Sequence, residues 1–416
     1  MMRTIFQSEA FAWVAVILWI LFIGISIPLA RDFQALVTAF LGRNAFIAAV
    51  FIFLLAGLFI VTLRVLRQSK TKRLMSFLWT LFAIAICTAW TIELSKNPEE
   101  SIHFIEYGVL SVLFFHALSF RLSDWSIYFA AVLLTGLVGT LDEVIQWFTP
   151  QRYFDFRDIW LNTCAGFLAQ VVIARGIRPS FISSNIYRRG IRLVCILAAV
   201  QILFFAACYS NTPAVVKRFS EKFPFFSYLT SKDNIMAEYG YRYKDPQIGT
   251  FYSRFSLEEI KRLDTNRSAE AAKILQKFKD YETYGQFLKL YNPYSDPFLH
   301  EVKVHLFRRD EYIWRSLDRS SKKETIKTNC TVAFRENALL EKYFSKTLQA
   351  AALTLPNDTM LSLSACADHQ MKYESPVSGD LIASFEWIHV LIVTIALLAL
   401  LAALAVVARK EDSNRE

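Results

Sequence analysis

Three short stretches carry polar groups at spacings that can do chemistry. In "SIHFIEYGVL", His103, Glu106 and Tyr107 stand at i, i+3 and i+4, one face of a helix. In "LDEVIQW", Asp142 and Gln146 stand at i and i+4, with Glu143 one position around. In "RDIWLNTCAG", Asp158, Asn162 and Gly166 follow at i, i+4 and i+8. An imidazole beside a carboxylate, as His103 is beside Glu106, can act as a general base or ligate a metal. Asp142 or Glu143 can pair with Glu106 or Asp158. Arg152, in the loop between the last two stretches, suits a bidentate grip on phosphate or carboxylate. Candidate catalytic residues are therefore His103, Glu106, Asp142, Glu143 and Asp158, with Tyr107, Gln146, Arg152 and Asn162 as candidate ligand-binding residues. Carboxylates with one His and an Asn can also hold a divalent cation through oxygen ligands, and the cation would bridge a lipid phosphate. There is no His-Glu-x-x-His, no cysteine pair at zinc spacing, and no outstanding nucleophile. A structural role stands beside these readings: Asp158 in the first turn of a helix is favoured by the helix dipole, Asp155 and Arg157 read as solvated loop residues, and Glu143 can be one too.

These polar groups lie within or beside apolar runs. The 416 residues are 54% hydrophobic with 36 Phe, and the mean hydropathy is +0.31. Runs of about 20 apolar residues cross a bilayer core as helices. Eight stand out, near residues 10–30, 44–64, 74–94, 102–120, 126–145, 158–175, 191–209 and 383–408. The first carries no cleavage signature and is expected to stay as an anchor. The net charge of +9 gathers in two inter-helix loops, "RVLRQSKTKR" (64–73) and the span from Arg175 through Arg192. Short basic loops stay cytoplasmic, so this is a membrane-surface pattern and no nucleic acid partner is expected. Both termini then face the cytoplasm, and residues 210–382 lie outside. The fourth, fifth and sixth spans bring their polar faces to one depth near the outer surface. Ionisable groups are costly in lipid and turn towards one another or towards a cavity, so a polar pocket open to the outside is expected there. Gly166 on the same stripe allows close helix approach.

Residues 210–382 are rich in Lys, Asp, Glu and Tyr and read as a mixed, mainly helical extracytoplasmic domain. "SLEEIKRLDTNRSAEAAKILQKF" opens with a capping box, Ser256 with Glu259, and continues at helical spacing. "EVKVHLF" alternates like a short strand, which would set His300 and His305 on opposite faces as structural histidines. Tyr239, Tyr241 and Tyr243 would line one face of a strand, where they pack a core or stack on sugar rings. Of six cysteines, Cys330 and Cys366 lie in this segment, and an extracytoplasmic compartment permits their pairing; two free buried thiols would give the same sequence.

"HFIEYGVL" followed by "DEVIQWFTPQRYFDFRDIWLNTCAG" resembles the VanZ-like family. Its pattern is a His/Glu/Tyr helix, then Asp-Glu-x-x-Gln, a short Pro/Arg loop, and Asp-x-x-x-Asn-x-x-x-Gly. The resemblance runs over about residues 74–176 and rests on His103, Glu106, Tyr107, Asp142, Glu143, Gln146, Arg152, Asp158, Asn162 and Gly166. It implies a membrane protein of the bacterial envelope, in a family whose namesake is linked to reduced susceptibility to the glycopeptide teicoplanin. Such proteins usually have four or five helices. Here two helices precede the pattern (1–73), one follows it (177–209), and the outer domain (210–382) and a last span with its tail (383–416) come after. The expected architecture is a polytopic α-helical protein of the bacterial inner membrane with about eight spans. Two functions are expected of it. The polar pocket binds or processes an anionic, phosphate-bearing lipid-linked envelope precursor, a membrane lipid or a polyprenyl-phosphate-linked ligand; alternatively, the chain is a non-catalytic scaffold or regulatory subunit that docks an envelope protein through residues 210–382.

Overall fold

Backbone N–H and C=O groups find no partner in hydrocarbon except each other, so apolar runs of this length become helices. A computed structural model describes residues 8–150, 152–231, 235–318, 320 and 322–413. Among the described residues, eight helices are long and apolar enough to cross a membrane. They are α1 (Glu9–Leu41), α2 (Ala45–Val65), α3 (Lys70–Glu93), α4 (His103–Leu118, entered through 3-10 turns), α5 (Ser126–Phe148), α6 (Phe156–Val171, prolonged by a π turn to Ile177), α7 (Arg188–Ser210) and α15 (Trp387–Ser413). The first runs eleven residues past the end of the apolar run at residue 30, because it passes straight through Pro28. Proline removes one donor, and the residues beyond it (Phe33, Leu36, Val37, Phe40) keep helical spacing, so the helix continues until Gly42, at φ 80°, turns the chain. The end of the carboxy-terminal tail, residues 414–416, lies outside the described residues.

The chain divides into two units, residues 1–207 with 391–416, and residues 208–390. In the first, α4, α5 and α6 pack on one another and α1 lies against α4. Tyr107, Leu110, Phe114, Ile127, Ala130, Ala131, Leu161 and Ala165 fill the space between them. Small residues set the approach of α5 to α6: a Cβ on Gly166 would stand 2.7 Å from Thr135 Cγ2, and one on Gly139 would stand 2.9 Å from Asn162 Cβ. In the loop after α2, Gln68 Nε2 donates to the carbonyls of Gly176 and Ile177 at 2.9 and 3.0 Å, satisfying groups a helix end leaves open.

The second unit begins with α8 (Pro213–Lys222) and an antiparallel hairpin of β1 (Tyr241–Asp245) and β2 (Gly249–Ser253), in register from Tyr241 opposite Ser253 to Asp245 opposite Gly249. Helices α9 (Leu257–Lys277), α10 (Tyr284–Leu290), α11 (Pro297–Ser316), α12 (Lys323–Tyr343), α13 (Ser345–Ala350) and α14 (Asn357–Cys366) follow. Ser256 and Glu259 form the capping box of α9. The expected strand "EVKVHLF" is instead the middle of α11. Asp296 caps it, Pro297 starts it, and Phe298, Leu299, Val302, His305, Leu306 and Arg309 are buried at helical spacing. A seven-residue alternation carries less weight than a capped helix that packs along α12. Tyr241 and Tyr243 lie on β1 with rings stacked 6.0 Å apart, and Tyr243 leans on the core ring of Phe251. Tyr239 falls outside the strand, its hydroxyl donating to Tyr209 O at 2.8 Å. Cys330 on α12 and Cys366 at the end of α14 form a disulfide with their Cα atoms 5.8 Å apart.

Candidate functional site

The polar faces of α4, α5 and the start of α6 meet in one cluster. Tyr107 is buried on α4, and its hydroxyl donates to Asp142 Oδ2 on α5 at 2.5 Å. One turn on, Gln146 Nε2 donates to Glu143 Oε1 at 2.7 Å. Arg152 reaches back from the loop, its Nη2 donating to Gln146 Oε1 at 2.5 Å. Glu143 Oε2 accepts from the backbone N of Asp155 at 3.0 Å. That carboxylate is wholly buried and braces the α5–α6 loop, so it is not a solvated loop residue. Asp155 is the N-cap of α6, its side chain accepting from Arg157 N. Arg157 ion-pairs with Glu100 at 2.7 Å. Both side chains stay solvated as expected, Arg157 56% and Asp155 46% exposed, but they sit at the start of α6 and not in a loop.

On the other side of Tyr107, His103 Nδ1 lies 3.4 Å from Glu106 Oε2 without hydrogen-bond geometry, and its ring centroid is 5.9 Å from that of Tyr107. Asp142 and Asp158 lie close enough to act on its charge. Asn162, on α6 one turn after Asp158, is fully buried. Neither its amide nitrogen nor its oxygen has a partner among the described residues. His103 Nδ1, Arg152 Nε and Asp158 Oδ1 are buried without a hydrogen bond among the described residues too, although His103 Nδ1 faces Glu106 at 3.4 Å and Asp158 Oδ1 faces Arg157 Nε at 3.8 Å. Five polar atoms of one cluster thus make no hydrogen bond, three nitrogens and two oxygens. Each unmet buried group costs about 1–3 kcal/mol.

The nine sequence-derived candidates are brought together, in two grades. Tyr107, Asp142, Glu143, Gln146 and Arg152 form a chain of mutual hydrogen bonds. His103, Glu106, Asp158 and Asn162 border it with capacity unused. No group of three or more His, Cys, Asp or Glu side chains among the described residues is arranged to hold a metal ion. Sequence reasoning missed Gly139, whose missing Cβ makes room for Asn162 and which stands 3.5 Å from Tyr107 Cε1 at the built Cβ position. Its position three residues before Asp142 was the available signal. Trp19 was missed as well; from α1 its Nε1 donates to the Glu106 carbonyl at 2.8 Å, fixing the turn that carries Glu106 and His103.

The order of these groups along three packed helices can be set beside known families. Residues 2–177 match the family VanZ/LLP1. This stretch, under half of the chain, is similar to that family and is called the VanZ-like module below. The match begins at residue 2, so α1 and α2, read from the sequence as additions, lie within it. Trp19 explains why: α1 packs on the helix that bears the site. Residues 178–416 lie outside the match. No curated protein and no solved structure matches the chain. The match and the eight apolar helices fit a multi-pass membrane protein.

The second unit holds a different polar centre, also missed. Glu336 on α12 is fully buried. Its Oε2 lies 2.6 Å from His305 Nδ1. Its Oε1 accepts from Tyr373 at 2.5 Å and Ser375 at 2.7 Å, with Arg308 Nε 3.2 Å away. Burial alone would raise this carboxyl, but His305 and the two hydroxyls hold it below the ordinary glutamate value. His300 is pushed down to about 4 by burial and by Arg254. Nothing in "FRENALLEKY" marks Glu336 as other than one more solvated glutamate of an amphipathic helix.

Proposed function

We propose that the VanZ-like module binds, at the cluster around His103 and Asn162, the head group of a phosphate-bearing lipid-linked precursor of the bacterial envelope. The observation that carries this reading is the set of unmet polar atoms in a membrane-spanning bundle. Nitrogens of His103, Arg152 and Asn162 supply donors for phosphate oxygens. Asp158 Oδ1 and Asn162 Oδ1 accept from hydroxyls of the head group. Arg152 and His103 face the phosphate in this reading, while Tyr107 and Gln146 hold Asp142 and Glu143 by hydrogen bonds. Any turnover would use His103, backed by Glu106, to move a proton at the bound head group. In this reading the module sits in the inner membrane with both termini cytoplasmic and residues 210–382 outside. The Cys330–Cys366 disulfide supports an oxidising compartment for that segment.

A scaffold reading is favoured by one observation: residues 208–390 form a compact unit of their own, as a docking module would. Single variants His103→Ala, Asp142→Asn, Arg152→Ala and Asp158→Asn separate the two. Native mass spectrometry of folded, inserted protein should show loss of co-purified phosphate-bearing lipid, together with loss of the envelope phenotype. Normal lipid and normal phenotype in all four would overturn the head-group site and leave the scaffold.

A further inference from the structure

The second unit presents an apolar surface at the point where the chain leaves the membrane. Helix α8 starts three residues after α7 ends at Ser210, a link that spans at most about 10 Å. Val216 and Ser220 face inward and are buried. Ser220 Oγ donates to Phe226 O at 3.1 Å, pinning the following turn against the helix. Beside this face, Val215, Phe219 and Phe223 fall at i, i+4 and i+8, with Val215 41% and Phe223 45% exposed. Phe225, just past the helix end, is 82% exposed. The rings form one patch: Phe219 lies 5.1 Å from Phe223 and 5.0 Å from Phe226, and Phe225 lies 5.2 Å from Phe226. Lys217, Arg218 and Lys222 are exposed around it, against Glu221 as the helix's acid. Lys222 Nζ sits 5.7 Å above the Phe223 ring, covering it as a snorkelling lysine does.

A short amphipathic helix with an aromatic stripe, flanked by cations and leashed to a membrane span, has the make-up of an interfacial anchor. Aromatic residues at the two chain crossings mark the same level. Tyr209 at the end of α7 packs its ring 6.0 Å from Phe385, two residues before α15 begins at Trp387, as in an interfacial aromatic belt. We propose that residues 213–226 form an interfacial anchor that inserts Phe223 and Phe225 into the leaflet from which α7 emerges. Lys217, Arg218 and Lys222 bind the anionic head groups of that leaflet. The occupant is a lipid surface. The anchor is independent of the head-group site between α4 and α6.

The test uses the full chain in nanodiscs. An environment-sensitive fluorophore is placed on Phe225→Cys and, as control, on Leu361→Cys, which is 68% exposed on the second unit; unsubstituted protein supplies the background from native thiols. The Phe225 label should be quenched by lipid brominated near the head of its acyl chain and shielded from aqueous iodide, and the Leu361 label should behave oppositely. Exchanging anionic for zwitterionic lipid, or substituting K217Q, R218Q and K222Q, should lower the bound-to-free ratio by about fivefold per cation lost. A Phe225 label open to iodide and untouched by brominated lipid overturns the anchor. A label shielded from both overturns it too, because the patch is then covered by protein, a second copy included.

Discussion

Two buried polar centres, one in each unit, are built to opposite ends. Around Glu336 the carboxylate is saturated: His305, Tyr373, Ser375 and Arg308 surround its two oxygens. Among the described residues, His305 Nε2, on the far side of the ring, is left without a hydrogen bond. Between α4, α5 and α6 the same kinds of group leave five atoms unmet. A saturated network holds a fold; an under-satisfied one, kept at a cost in stability, points to a ligand. Burial is alike in the two, so burial alone does not tell a site from a brace.

The largest expected effect breaks the saturated side. Glu336→Ala strands a buried imidazole, two hydroxyls and a guanidinium, and should destabilise the second unit by about 3–5 kcal/mol. Protease resistance of residues 208–390 would show it, with lipid retention by the VanZ-like module unchanged. Retained resistance would mean that the network is dispensable. Next, Gly139→Ala forces a methyl to within 2.9 Å of Asn162 Cβ. It should cost about 1–3 kcal/mol through overpacking and displace Asn162, so that thermal stability and lipid retention fall together. A neutral result would remove the close approach of α5 and α6 from the account.

A smaller effect is set by pH. His300 is depressed to about 4 from 6.5, so the unfolded chain takes a proton that the folded one refuses. Stability of the second unit is full above pH 6.5, is lost as pH falls from 6.5 towards about 4, and is level below that. Glu301, raised by burial, works the other way, because the fold then favours its protonated form. Glu336, held low, keeps its contribution above the ordinary glutamate value of 4.5 and loses it as pH falls below that. Unfolding midpoints against pH should show the loss between 6.5 and 4, and His300→Asn should flatten it. An unchanged slope in the variant would assign that loss elsewhere. The smallest stability effect sharpens the comparison most. Asn162→Ala removes no hydrogen bond and relieves two unmet buried groups against the small cavity it leaves, so stability should not fall by more than about 1 kcal/mol, while lipid retention weakens by about tenfold. Equal loss of both would make Asn162 a brace like Glu336.

The eight spans and the nine clustered side chains could be read directly, because lipid imposes a length on a span and a cost on each polar group within it. Less was legible in the second unit. "EVKVHLF" alternates over seven residues yet lies in α11, since Asp296, Pro297 and packing on α12 outweigh a local pattern. Glu336 carries no mark at all, because in an amphipathic helix of a water-facing segment a glutamate costs nothing until a neighbour buries it. Asp142, Asn162 and His103 were conspicuous for the reverse reason.

The sequence alone determined that this chain spans a membrane, where its spans lie, and which polar groups must face one another. These follow from short-range rules: helical period, apolar length, and the penalty for charge in hydrocarbon. Only the tertiary structure decided which of those groups are spent on each other and which are left over. Tyr107 satisfies Asp142, and Gln146 and the Asp155 amide satisfy Glu143, while the Asn162 amide finds no partner among the described residues, because hydrogen bonding depends on ångström distances between helices whose spacing is set by Gly139 and Gly166.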